Sequence, residues 1–237
     1  MMLRYALAVA AFFTADMVQA NCRQALALGL DVSGSVDARE YRLQLDGLAA
    51  ALQDGQVRGA LLTLPQNPVE LLVYEWSGPE DHALIVNWTP IKSEADLQKI
   101  IDTLTATQRR AASPGTALGS SMVLGAGYLA QRQECDKRTL DISGDGKSNL
   151  GPRPQEARKT LERAGITING LVIGADAPAL GDLRQSNIGE LASYFQAYVI
   201  LGDDAFVETA LGYKAYAEAM ARKLLREIET LTLSSLE

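Results

Sequence analysis

Apolar positions along the chain fall into two alternating kinds of segment. Ala25 to Leu30 is an unbroken apolar run ending at Asp31, the pattern of a central parallel strand covered on both faces. A helix should follow it: Asp37 and Glu40 have the spacing of a capping box, and Tyr41, Leu45, Leu48 and Leu52 then recur at helical intervals. Val69 to Trp76 and Ala83 to Trp88 read as two strands joined by the polar turn Ser77 to His82, an antiparallel hairpin whose second strand is the sheet edge. Ser93 with Asp96 opens a helix carrying Leu97, Ile100, Ile101 and Leu104.

Periodicity then lapses from Arg109 to Gly115 and resumes at Thr116 in a helix with Leu118, Met122, Ala126 and Leu129, where Gly119, Gly125 and Gly127 permit close backbone approach. Arg138 to Ser143 reads as a strand. Pro154 suits the first turn of a helix reaching Ala164, and Gly165 supplies its stop. Ile166 to Ile173 and Tyr194 to Leu201 read as further strands, with a weaker helical stretch from Asp182 to Leu191. Phe206, Ala210, Tyr213, Ala217, Met220, Leu224 and Ile228 mark a closing helix, whose stripe reads as core packing. Strands alternating with helices predict an α/β fold: an open, doubly wound, mostly parallel sheet with one antiparallel edge strand and helices on both faces. Ligands in such sheets sit at the C-terminal strand ends where the strand order reverses.

The first twenty residues depart from this pattern. Arg4, the apolar stretch Tyr5 to Phe13, and Val18-Gln19-Ala20 with small residues before a cut are the parts of a signal peptide, so we expect residues 1–20 to be a leader and 21–237 a single domain. The leader's apolar run is too short to span a bilayer, and no later stretch approaches the roughly 20 apolar residues of a transmembrane helix. A periplasmic or secreted protein without stable membrane insertion is expected. In an oxidising compartment Cys22 and Cys135 are expected to pair as a disulfide, two free thiols being the alternative. Asn21 stands where a lipid-modified cysteine has a small residue, which argues against an anchor at Cys22.

Length and composition are those of one globular unit: 237 residues, 47% hydrophobic and 22% charged. With 22 Lys and Arg against 29 Asp and Glu the net charge is −7, and no basic run could neutralise a phosphate backbone. Nucleic acid is therefore not an expected partner.

The chemistry concentrates in Asp31-Val32-Ser33-Gly34-Ser35, between the first strand and the capped helix. Alternation points Asp31, Ser33 and Ser35 to one side of a tight turn. Oxygen ligands without His or Cys suit a hard cation, Mg2+ before zinc. Two further loops are candidates to converge there: Thr116 after Ser113-Pro114-Gly115, and Asp145 in Ser143-Gly144-Asp145-Gly146-Lys147-Ser148 past a strand end.

This set resembles the metal-ion-dependent adhesion site (MIDAS) of von Willebrand factor A (vWA) domains, in a branch of uncharacterised exported bacterial proteins. The family's Asp-x-Ser-x-Ser loop matches Asp31, Ser33 and Ser35, its second-loop threonine matches Thr116, and its third-loop aspartate matches Asp145. The resemblance covers residues 22 to about 228 and implies a sheet with one antiparallel edge strand. It implies that Ser33, Ser35 and Thr116 touch the ion through hydroxyls while Asp31 and Asp145 act largely through waters. The ion would be Mg2+, with Mn2+ or Ca2+ as alternatives. Neutral direct ligands would leave it electrophilic, with one position for an Asp or Glu of a partner protein.

Rival readings are weaker. Asp141, Ser143, Asp145 and Gly146 imitate the start of an EF-hand loop, but its twelfth position is Pro152 rather than Glu. Gly146-Lys147-Ser148 lacks the earlier glycine of a phosphate loop, replaced by Asp141. Asp141 itself competes with Asp145 as the third-loop ligand, but it falls inside the strand run. A serine hydrolase needs a histidine beside its nucleophile, and the single histidine, His82, falls in the hairpin turn. With neither triad nor general base identifiable, the chain is not expected to be an enzyme. A metal-dependent phosphoesterase and a structural envelope protein with a non-functional site are the alternatives.

Overall fold

A computed structural model describes residues 22–174 and 188–234, with side chains through residue 228. The expected leader at 1–20 and the 182–187 part of the weak helical stretch lie outside the described residues.

Six strands form one sheet: β1 (Cys22–Asp31), β2 (Val69–Trp76), β3 (His82–Ile91), β4 (Cys135–Gly144), β5 (Thr167–Ile173) and β6 (Val207–Ala210), in the order β3-β2-β1-β4-β5-β6. All neighbours are parallel except β2 and β3, which pair antiparallel from Val69 opposite Ile91 to Trp76 opposite His82. The helices are α1 (Ala38–Gln53), α2 (Gly55–Leu62), α3 (Glu94–Ala106), α4 (Leu118–Leu129), α5 (Pro154–Leu161), α6 (Ile188–Tyr198) and α7 (Tyr216–Ser234). This is the doubly wound architecture that the pattern predicts.

Strands buried on both faces still sort their side chains by parity. Leu26, Leu28 and Leu30 of β1 join Leu71, Val73 and Leu171 under α1, α2, α3 and α7. Ala25 and Ala27 join Leu72, Leu140, Ile142 and Ile168 under α4, α5 and α6. Each fully buried large aliphatic contributes about 1.5–3 kcal/mol, so the two layers hold the helices far more firmly than helix propensity could. Helix α4 comes close to its surroundings through two glycines: a β-carbon on Gly119 would sit 2.2 Å from the Pro152 carbonyl oxygen, and one on Gly125 2.4 Å from Leu140. Gly127, expected to serve the same purpose, faces open space.

Three elements differ from expectation. Tyr194 to Leu201 is not a strand: α6 covers residues through Tyr198, because Leu191, Phe195 and Val199 are buried at intervals of four, a helical stripe on the sheet. Leu201 makes only an isolated bridge to Ile168. The closing helix does not begin at Phe206, since Val207–Ala210 pairs with β5 as an edge strand. Gly212, at φ 103°, then turns the chain into a short 3-10 turn, Tyr213–Ala215, from which α7 starts. Helix α2 carries Gly55 and Gly59, poor helix formers, and gave no pattern to read; Asp54 caps it by accepting from the Gln56 and Val57 amides.

The Cys22–Cys135 disulfide is present, joining residues directly opposite one another at the starts of β1 and β4 across 113 positions of sequence. Among the described residues no helix is long and apolar enough to cross a membrane.

Candidate metal centre

The order of strands runs outward from β1 in one direction and from β4 in the other, so β1 and β4 flank the point where the winding reverses. Asp31 is the last residue of β1, and Asp145 follows the last residue of β4. Thr116 arrives from a third segment, the loop before α4.

The side chains meet as a chain of oxygens. The Thr116 hydroxyl donates to Ser33 Oγ at 3.2 Å, Ser33 Oγ lies 3.3 Å from Ser35 Oγ, and the Ser35 hydroxyl donates to Asp145 Oδ1 at 2.6 Å. Asp31 Oδ1 accepts from the Ser33 amide at 2.8 Å. Asp31, Ser33, Thr116 and Asp145 are buried while Gly34 and Ser35 are exposed, so the cluster opens to solvent on one side.

Local bonds explain why the loops hold this arrangement. Asp37 caps α1 by accepting from the Arg39 and Glu40 amides, and Glu40 accepts in return from the Asp37 amide at 3.0 Å. Gln44, one turn further on, donates to the Asp31 carbonyl at 3.1 Å, tying the first loop to α1. The Gly34 amide donates to the Pro114 carbonyl at 3.1 Å, joining the first loop to the second. The third loop clamps Thr116 from both sides: Asn149 Oδ1 accepts from the Thr116 amide at 2.8 Å, and the Asn149 amide donates to the Thr116 carbonyl at 3.0 Å. Arg110 pins the second segment to the sheet by bridging Glu75 and Asp81, and Asp81 also accepts from the Ser113 amide. Sequence reasoning missed Gln44, Asn149 and Arg110. Only Asn149 carried a signal, as a turn-forming residue four positions beyond Asp145.

Electrostatics favour a cation here. Burial, reinforced by the Asp145 charge, pushes the Asp31 carboxyl up to about 8 against the opposing Ser33 hydrogen bonds. Asp31 Oδ2 is buried with no hydrogen-bond partner among the described residues. A buried oxygen in that state costs about 1–3 kcal/mol, and a positive charge nearby would relieve both it and the repulsion. The oxygen spacings also suit one: ligands on adjacent corners of an octahedron with metal–oxygen distances of about 2.0–2.1 Å stand about 2.9 Å apart. The donor set thus fits a hard divalent ion. Among the described residues, no group of three or more His, Cys, Asp or Glu side chains is placed to hold a metal.

Asp141 is directed elsewhere. It points under α7, where Lys223 Nζ lies 2.8 Å from its Oδ2 and 2.6 Å from Glu227 Oε1. His82 is the exposed first residue of the edge strand β3, opposite Trp76, rather than part of the turn. Two strand positions separate β3 from β1, which keeps the imidazole away from Ser33 and Ser35.

Residues 21–232 match the family described as "Protein of unknown function (DUF1194)". The chain belongs to the DUF1194 family. No curated protein matches it. Among solved structures, the DUF1194 chain is similar to proximal thread matrix protein 1 from the mussel byssus, in a structure with a zinc-occupied MIDAS motif: TM-score 0.58, 15% identity, covering 86% of this chain and 48% of that one. It is similar to the pilus adhesin SpaC from Lactobacillus rhamnosus GG at TM-score 0.60 and 14% identity, over 89% of this chain and 30% of that one. A von Willebrand factor type A protein from Catenulispora acidiphila matches at TM-score 0.60 and 13% identity, over 87% and 43%. The chain spans less than half the length of each. At such identities the likeness is one of fold, and that fold is the vWA fold.

Proposed function

We propose that this DUF1194 chain is an exported, divalent-cation-dependent protein-binding domain of the adhesion type. Ser33, Ser35 and Thr116 would hold the ion through their hydroxyls, and Asp31 and Asp145 would hold its waters. The observation that carries the reading is the convergence of oxygens from three separate loops at the β1/β4 switch point, where the Thr116, Ser33 and Ser35 hydroxyls are spaced as neighbouring ligands of one ion and Asp145 bonds to Ser35. The reading is supported by the zinc at the MIDAS motif of the mussel protein, which has this fold, and by SpaC, an adhesin. Mg2+ is the proposed ion, with Mn2+ or Ca2+ as substitutes, because all the ligands are oxygen. When bound, the ion would supply an electrophilic position for a carboxylate. The partner on this reading is a protein offering Asp or Glu. The Cys22–Cys135 disulfide agrees with an oxidising compartment, periplasmic or extracellular.

Retention of peptides on the immobilised mature chain tests this. Glu- and Asp-bearing peptides should be held in Mg2+, released by chelator, and replaced poorly by their Gln and Asn counterparts. Asp31→Ala should abolish retention and weaken Mg2+ binding by at least about 10–100-fold. Unchanged Mg2+ affinity and peptide capture in Asp31→Ala would rule the mechanism out.

A further inference from the structure

A cavity of about 410 Å3 is walled on one side by the third loop, and the metal reading makes no use of it. Ser148 and Asn149 line it and hold Thr116 at the same time: the Ser148 hydroxyl donates to the Thr116 carbonyl at 3.2 Å, and Asn149 clamps the Thr116 backbone from both sides. Its other walls include Leu150, Arg153, Pro154 and Gln155, around the start of α5, and Tyr194 and Tyr198 from α6. The volume falls within the range of about 300–1,000 Å3 usual for ligand sites.

The composition of these walls narrows what they can hold. Leu150 and Tyr198 are large apolar side chains left exposed, and the Tyr194 and Tyr198 rings meet edge to face at 5.4 Å. Arg153 is exposed and makes no ion pair among the described residues, whereas the neighbouring Lys147 is paired with Glu190. Among the described residues no carboxylate lines the cavity, although the chain carries a net charge of −7. Tyrosine and arginine are prominent in binding energy at protein interfaces, because each presents a large flat face with a polar edge. Such walls suit an aromatic side chain and admit an acidic segment, which the overall charge would otherwise repel.

A carboxylate on the ion selects no particular partner, since protein surfaces in general carry Asp and Glu. Selectivity needs a second contact. We propose that this cavity is the specificity pocket of the metal site, taking an aromatic side chain from the same acidic protein segment whose Asp or Glu reaches the ion. This rests on the adhesion-type reading above. Because Ser148 and Asn149 serve both the cavity and Thr116, one loop holds the two contacts in fixed relation.

Binding of synthetic peptides to the full mature chain in Mg2+ tests the pocket. Each peptide carries one Glu in a Gly-Ser background, with Phe placed roughly one to six positions to either side, or with Ala in its place. We expect Phe at one or two of these spacings to raise affinity at least about 10-fold over the Ala peptide. Tyr198→Ala, which removes part of the wall, and Gln155→Trp, which fills the cavity, should each abolish that gain while Mg2+ titrates as in the wild type. Equal affinity of Phe and Ala peptides at every spacing, or a gain that survives either variant, would overturn the pocket and leave the metal site standing. Self-association of the wild type that Tyr198→Ala dissolves, read by sedimentation, would overturn it in favour of a second copy as the occupant. Binding of no Glu peptide in Mg2+, or binding indifferent to chelator, would overturn the metal reading and this inference together.

Discussion

Three hydroxyls in a row, Thr116 to Ser33 to Ser35, can satisfy one another without a ligand, as turn and cap residues commonly do. What they leave without a donor among the described residues is Asp31 Oδ2, on a carboxyl that burial and the Asp145 charge push up to about 8. Chemistry at this scale was legible in the sequence for the Asp-x-Ser-x-Ser loop, because alternation along a short turn fixes which oxygens share a side. Thr116 separates the cation reading from mutual capping. Thr116→Val keeps the shape without the oxygen, and Thr116→Ser keeps the oxygen. Titration with Mg2+ should show affinity reduced at least about 10-fold in the first and largely retained in the second.

Among elements, those with strong local periodicity were read correctly and those set by tertiary pairing were not. Helix α1 declares itself through Asp37, Glu40 and its apolar stripe, and β1 through its apolar run. Strand β6 is four residues whose strand geometry comes from pairing with β5, a contact invisible to any local window. Helix α6 was misread because Tyr194, Tyr198 and Val199 favour strands intrinsically, while burial of Leu191 and Phe195 decides for helix. Helix α7 is tied to β4 by charge as well as by apolar packing: Lys223 lies fully buried between Asp141 and Glu227, and Asn169 donates to Glu227 at 2.6 Å. Removing the cation would leave two carboxylates facing each other in the interior. Lys223→Met should therefore cost about 3–5 kcal/mol in urea unfolding, and adding Asp141→Asn should recover part of the loss. Equal stability of Lys223→Met and wild type would mean that this network contributes nothing net.

For the whole molecule, the sheet order does most to create the site. Reversal between β1 and β4 leaves a gap at their C-terminal ends into which the loop before α4 can fall, and the disulfide fixes the opposite ends of those two strands. The doubly wound class and the antiparallel edge were legible because runs of apolar residues and a polar hairpin turn encode them directly. The clamps that bring the loops together, Asn149 on Thr116 and Pro114 on Gly34, were not, since each joins segments far apart in sequence and no local pattern pairs them. The account stands on three loops sharing one ion, and anomalous diffraction from crystals soaked in Mn2+ observes that directly. It should show one strong peak in direct contact with the Ser33, Ser35 and Thr116 hydroxyl oxygens, with Asp31 and Asp145 reached through waters. A chain that shows no peak there, or binds Mn2+ only at surface carboxylates, contradicts the account.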